Sequence, residues 1–405
     1  MTMKSNGFRI AVLAVLLPLG ACSDLLKVES PGRIADDDLG TVDAVPGMVV
    51  GMRYDLSQAV DGLQEFLAVA AVDLFHGGSY DWADVPRGVI TEDDTDGNAW
   101  NSPQQARWVA ETGIERMKEL LDGAEFARSG YAAEAYIYAG YANRILGENY
   151  CSSVIDGGPE VSNTVHFDRA KEQFAAAIPI ATAANRTDLV NAAYAGLASV
   201  KAYSGDWAGA ASDAAKVPAS FLFNAEIDTE LRNEITYETH SRNEYTVFGT
   251  FMQSHPNDPR APWVIAYNAD GSVQNGANGS TPHYRQLKYQ DNSSDVPLSK
   301  GTEALLIRAE AALRSNDIAT AYTHMNAARD VYKMAHLTQA ADMTAAWADL
   351  QYERGATMWL EGRRFGDLRR WFADTGPAHN DFFASRDKCL PISKAERLAN
   401  ANLKG

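Results

Sequence analysis

Positive charge is scarce in this sequence. It holds 36 Lys and Arg against 53 Asp and Glu, a formal net charge of −17. Such a chain is repelled by phosphate backbones and by anionic lipid surfaces, which excludes nucleic acid as a partner. Catalytic signatures are missing too. No HExxH, GxSxG, GxGxxG or P-loop pattern occurs, and the 8 histidines are scattered without metal-ligand spacing. The chain therefore reads as a binding protein rather than an enzyme, with no cofactor and no metal centre. Glu92 to Asn98 (EDDTDGN) begins like a calcium loop, but Pro103 stands where such a loop needs a bidentate Glu, so the stretch reads as a solvated acidic loop.

Long apolar runs are absent beyond the first residues. Lys4 and Arg9 flank a short apolar stretch from Ile10 to Leu19, too brief to span a bilayer, and this reads as an export signal. It closes on Leu19-Gly20-Ala21-Cys22, which resembles the lipobox of bacterial lipoproteins. The expectation is a signal peptide over residues 1–21 and lipidation of Cys22, leaving one domain over 22–405 held to the membrane by acyl chains alone. Losing Lys4 and Arg9 takes the formal charge from −17 to −19.

Cysteine is also sparse, with 3 in all. Once Cys22 is committed to lipid, Cys151 and Cys389 remain, an even pair in an oxidising compartment where a disulfide persists. A bridge between them is expected; the alternative is two buried free thiols.

What the chain does have is material for a large core, 46% hydrophobic and 10% aromatic residues. From about residue 104 apolar residues recur at three-and-four spacing, which predicts helices over 105–121, 131–147, 167–184, 188–204, 207–216, 301–315, 318–333 and 343–371. Short turns between several of them imply antiparallel hairpins. Two hairpins superimpose without a gap: Tyr194 to Lys216 (YAGLASVKAYSGDWAGAASDAAK) on Leu305 to Ala327 (LIRAEAALRSNDIATAYTHMNAA). Ala198 meets Ala309, Asp206 meets Asp317 and Ala210 meets Ala321, the small-residue logic of tetratricopeptide repeats. A third hairpin carries Ala170, Phe174 and Ala177 at repeat-like spacing. The fold class is thus mostly α, a helical-hairpin scaffold over about 104–217 and 300–372. Stretches of about 72–103 and 218–299, rich in Gly, Asn, Asp and Pro, should be loops with a few short strands.

The densest cluster is Tyr352 to Phe372, YERGATMWLEGRRFGDLRRWF, where acids accompany arginines at close helical spacing and favour mutual neutralisation over a site for an anionic ligand. Here the sequence resembles the SusD/RagB family of outer-membrane lipoproteins. The likeness begins at Cys22-Ser23-Asp24-Leu25-Leu26 with Pro31 and runs through Asp258-Pro259-Arg260 and the AEA of Ala309-Glu310-Ala311. Its most specific part is ER…EG-x-R-x-x-DL-x-RW, met by Glu353, Arg354, Glu361, Gly362, Arg364, Asp367, Leu368, Arg370 and Trp371. The ending departs from the family pattern, with Leu390-Pro391-Ile392-Ser393 and Asn400-Ala401-Asn402-Leu403.

The resemblance implies a scaffold of four tetratricopeptide-like hairpins, a loop-built ligand face, and a surface lipoprotein in the bacterial outer membrane. It also implies delivery of oligosaccharides, or in some members peptides, to a SusC-like TonB-dependent transporter. A helical-repeat scaffold that binds only proteins is the remaining alternative. Sugar rings stack on aromatic faces while polar side chains take their hydroxyls. The expected ligand contacts are therefore Trp82, Trp100, Asn101, Trp263, Tyr267 and Tyr284, with Arg260 as a polar partner. Trp108, Trp207, Trp347, Trp359 and Trp371 lie on helices and are expected to pack.

Overall fold

Helix pairs stacked side by side make the frame of this molecule. The structure, a computed structural model, describes residues 39–79 and 82–404, so the export signal and Cys22 lie outside the described residues. Thirteen α-helical segments occur among them: α1 (Val45–Ala70), α2 (Asn101–Leu120), the single turn α3 (Gly123–Phe126), α4 (Gly130–Asn149), α5 (Thr164–Ala183), α6 (Thr187–Tyr203), α7 (Trp207–Ala214), the short α8 (Glu234–Thr236), α9 (Gly301–Arg314), α10 (Ile318–Val331), α11 (Met343–Thr357), α12 (Arg364–Phe372) and α13 (Lys394–Ala399). The pairs α1/α2, α4/α5, α6/α7 and α9/α10 pack within themselves and then onto the next, through α2 on α4, α5 on α6 and α7 on α9. Each amphipathic helix thereby buries the face its partner leaves open.

The two superimposable hairpins are equivalent in detail. Gly205 and Asn316 both adopt left-handed backbone, at φ 81° and 60°, and end the first helix of each pair. Asp206 then accepts from Gly209 N at 2.9 Å, and Asp317 from Thr320 N at 3.0 Å, as caps of the second helix. Ala198, Ala309, Ala210 and Ala321 are all fully buried where the helices cross. In the preceding pair Phe174 fills the notch left by Gly140 and Gly196; a Cβ on Gly196 would stand 2.3 Å from the Phe174 ring.

Two helical expectations need correction. Helix α1 precedes the point at which the sequence pattern turns helical. It is enclosed on most sides and buries Ser57, Asp61 and Gln64 together with its apolar residues, which erases the polar stripe that periodicity relies on. The stretch 343–371 is two helices rather than one. Between α11 and α12, Leu360 and Gly362 take left-handed backbone, at φ 58° and 67°, and turn the chain with Trp359 and Leu360 completely buried.

The arginine-rich segment is an ionic core. Arg354 donates to both carboxylate oxygens of Asp367, at 2.9 and 3.0 Å, and Arg370 donates to Glu310 at 2.6 and 3.0 Å. Arg363 lies 3.1 Å from Glu148 and 2.9 Å from Glu303, while Lys288 and Lys300 converge on Glu361. Nearly every one of these groups is buried, so each cation has an acid to offset its desolvation. Cys151 and Cys389 form a disulfide, 238 residues apart in sequence with Cα atoms 5.4 Å apart. The acidic loop at 92–98 is tied to α13 through Asp93 with Lys394 and Glu92 with Arg397. Among the described residues no helix is long and apolar enough to cross a membrane.

Candidate ligand face

The loop-rich stretches supply three of the four short antiparallel pairings among the described residues, and the α4–α5 connection supplies the fourth. Strands β1 (Phe75–His76) and β5 (Tyr245–Thr246) pair, as do β2 (Ser152–Val154) with β3 (Glu160–Ser162), β4 (Leu222–Ala225) with β8 (Val296–Lys300), and β6 (Trp263–Ile265) with β7 (Tyr284–Gln286). The β1/β5 and β6/β7 pairs are joined laterally. Val247 N donates to Tyr284 O at 2.8 Å, and the Thr246 hydroxyl accepts from Tyr284 N at 2.8 Å while donating to Pro282 O at 2.9 Å.

That joint brings sequence-distant aromatics into two groups. Trp263 lies parallel to Tyr284, with ring centres 5.2 Å apart and planes 3° apart, and Phe248 meets Tyr284 edge-on at 5.3 Å. The Trp263 indole donates to Met252 O at 3.0 Å, which fixes its plane. In the second group Trp82 stacks on Tyr245 at 6.4 Å and 8°, with Phe66 of α1 edge-on to it at 4.9 Å. Trp82, Trp263 and Tyr284 are half-buried. Tyr267, on the segment after β6, is 59% exposed.

Trp100, Asn101 and Arg260 stand apart from these groups. Trp100 is 1% exposed and packs edge-on against Tyr150 beside the start of α2, so it has no face to offer a ligand and serves the core. Asn101 is exposed, on the first turn of α2. Arg260, expected as the polar partner, is 4% exposed and saturated: it donates to Asp258 through Nε at 2.9 Å and Nη2 at 2.7 Å, and to Glu353 through Nη1 at 2.5 Å. Asp258-Pro259-Arg260 thus clamps a loop onto α11, helped by the Tyr352 hydroxyl donating to Asp258 at 2.8 Å. Its spacing signalled an ion pair as readily as a ligand contact.

Residues missed in the sequence complete the face. Tyr245 and Phe248 belong to the aromatic groups but sit in the run Tyr245-Thr246-Val247-Phe248, which is too short to stand out as a strand. Arg285, opposite the exposed Val264 in the β6/β7 register, is half-buried and its Nε has no hydrogen-bond partner. It sits on the strand face opposite Trp263 and Tyr284.

Behind Trp82 and Tyr245 lies a set of carboxylates. Asp61 and Glu65 of α1 face Glu234 and Glu238, with Glu244, just before β5, held by Ser79 N at 2.9 Å. Burial pushes Asp61 up to about 7 despite the hydrogen bond it accepts from Glu234 N. Burial, then the charges of Glu234 and Glu244, push Glu238 up to about 7 as well. Arg242 pairs with Glu238 at 3.0 Å, and Arg232 with Glu234 at 2.8 Å.

Residues 213–402 match the model of the SusD family. Surface glycan-binding protein A from Bacteroides uniformis has the same fold, with a TM-score of 0.68 at 15% identity over 90% of this chain and 99% of that one. A SusD/RagB family protein from Bacteroides thetaiotaomicron gives 0.65 at 14% identity over 88% and 94% of the two chains. A SusD-like carbohydrate binding protein from Bacteroides vulgatus gives 0.63 at 14% identity over 90% and 98%. No curated protein matches the sequence.

Proposed function

We propose that this chain, a protein of the SusD/RagB type by its family match and its fold, captures oligosaccharides at a bacterial outer surface and passes them to a SusC-like TonB-dependent transporter. The observation that carries the reading is the parallel Trp263–Tyr284 platform, mounted on paired strands above a rigid helical frame. A pyranose ring presents an apolar face suited to such a platform, and the exposed Tyr267 supplies a donor for its hydroxyls. The fold relatives named as glycan- and carbohydrate-binding proteins support oligosaccharide over peptide. Cys22 is proposed as the lipid anchor that keeps the face outside the cell.

Isothermal titration against parallel panels of oligosaccharides and peptides tests the ligand class. Oligosaccharide binding that is lost in Trp263→Ala supports the reading, and binding confined to peptides overturns it. Co-purification with a co-expressed TonB-dependent barrel tests the partner, and persistent failure to associate counts against delivery.

A further inference from the structure

The Cys151–Cys389 disulfide shares no residue with the aromatic face, and its two sulfurs stand in different surroundings. Cys151, shortly after α4, is exposed. Cys389 is half-buried, and Nη1 of Arg369 on α12 lies 3.8 Å from its sulfur. Among the described residues no donor reaches the sulfur of Cys151.

Arg369 differs from the other arginines of its segment. Arg354, Arg363, Arg364 and Arg370 each have a carboxylate in reach, Asp367, Glu148, Asp73 and Glu310 in turn. Among the described residues no carboxylate pairs with Arg369, which donates instead to Tyr150 O and Gly147 O, both at 3.2 Å. Carbonyl oxygens carry no formal charge, so a thiolate formed at Cys389 would be the anion that this guanidinium lacks. Lys388, next to Cys389 in the chain, adds a second positive charge, with its Nζ 4.4 Å from the centre of the Phe372 ring. The nearby acid Asp387 is engaged elsewhere, accepting from Ile90 N at 2.8 Å.

We propose that this disulfide is a thiol-exchange site of fixed polarity, in which an external thiolate attacks the Cys151 sulfur and Cys389 departs as a thiolate beside Arg369. In the first step the incoming sulfur bonds to Cys151 Sγ while the bond to Cys389 breaks, and the electron pair of that bond stays on Cys389 Sγ. In the second step another external thiolate attacks the sulfur attached to Cys151 and releases Cys151 as a thiolate. The protein disulfide is reduced by two electrons, two external thiols are oxidised to one disulfide, and the protons they give up pass to the cysteines and to solvent. Exchange is fastest where the attacked sulfur is accessible and the departing one is the more stable thiolate, and both conditions choose the same direction. The joint itself outlasts the bond. Leu390 is buried, donates to Asn149 O at 3.0 Å and pairs with Tyr150 in a parallel bridge, which keeps the two cysteines side by side for re-oxidation.

The test is incubation of the oxidised full-length protein with glutathione in the absence of denaturant, quenching with N-ethylmaleimide, and peptide mapping by mass spectrometry. Glutathione should appear on Cys151 and N-ethylmaleimide on Cys389, in roughly tenfold or greater excess over the reverse pattern. Arg369→Gln should slow the exchange about tenfold, and Arg369→Lys should recover part of the rate. In a Cys151→Ser background, where Cys389 is a free thiol, Arg369→Gln should also slow alkylation of Cys389, whereas loosened packing alone would speed it. Adducts divided evenly or placed on Cys389, an exchange rate in Arg369→Gln within about twofold of the unaltered protein, or exchange only in denaturant each overturns the proposal. If Arg369→Gln fails to fold, the adduct pattern of the unaltered protein still decides. The aromatic face is measured separately, so failure here leaves the ligand-capture reading standing.

Discussion

The indole of Trp371 donates to Oε1 of Glu310 at 3.2 Å, joining α12 to α9 across 61 residues of chain. Glu310 is completely buried and also receives Arg370 and Arg314, whose charges hold its carboxyl below the usual range despite burial. Glu310→Ala would leave the indole N–H without its acceptor and strip one of two carboxylates from each guanidinium, Arg370 keeping Asp367 and Arg314 keeping Asp374. The expected loss is about 3–5 kcal/mol, the cost of breaking a buried ion pair from one side. Urea unfolding of the two proteins checks it; a loss under about 1 kcal/mol would show that the charges find other partners.

Trp263 and Trp100 should respond to truncation in opposite ways. Trp263→Ala removes half of the Trp263–Tyr284 platform and is expected to reduce oligosaccharide affinity roughly tenfold or more, with a smaller effect on melting temperature than the core change below. Trp100→Ala empties a core site that is 1% exposed and is expected to cost about 3–5 kcal/mol of stability. Calorimetric titration and thermal melting of both variants separate the roles.

The carboxylates behind Trp82 make stability depend on pH. Asp61 and Glu238 sit at about 7 in the fold against ordinary values of 3.8 and 4.5. They retain protons that the unfolded chain gives up, so their contribution is complete below their ordinary values and is lost as pH rises through 7. Asp367, held down to about 2 by Arg354 and Arg370 despite burial, contributes above its ordinary 3.8 and loses that only in strong acid, outside this window. Stability measured by denaturant between pH 5 and 8 should therefore decline through this cluster, and the double variant Asp61→Asn, Glu238→Gln should show a flatter decline. An unchanged slope would assign the dependence elsewhere.

Cutting the Cys151–Cys389 link should lower stability without touching the aromatic face. The bridge closes a loop of 238 residues, worth about 5 kcal/mol in the chain-entropy account. Cys151→Ser with Cys389→Ser, compared with the oxidised protein in guanidinium, gives the measured value. Oligosaccharide affinity at low denaturant should be unaltered.

The hairpins were readable because each is a local device. Asp206 and Asp317 cap helices within their own turns, and Ala198 and Ala309 bury within adjacent helices, so short stretches of sequence carry the whole instruction. Helix α1 was not readable, since Asp61, beside its local Gln64 partner, accepts from Glu234 N, 173 residues away, and no pattern within the helix announces that contact. The break at Leu360 and Gly362 was similarly hidden inside a continuous helical period.

Local periodicity, helix caps and the ordered SusD-type motif from Glu353 to Trp371 thus determined the scaffold class, because those signals act over a few residues and survive without knowledge of neighbours. The make-up of the ligand face was decided only by tertiary structure. Whether an aromatic or an arginine in a loop faces solvent or seals an ion pair depends on partners far along the chain, as Trp263 with Tyr284 and Arg260 with Glu353 show, and no local pattern distinguishes the two outcomes.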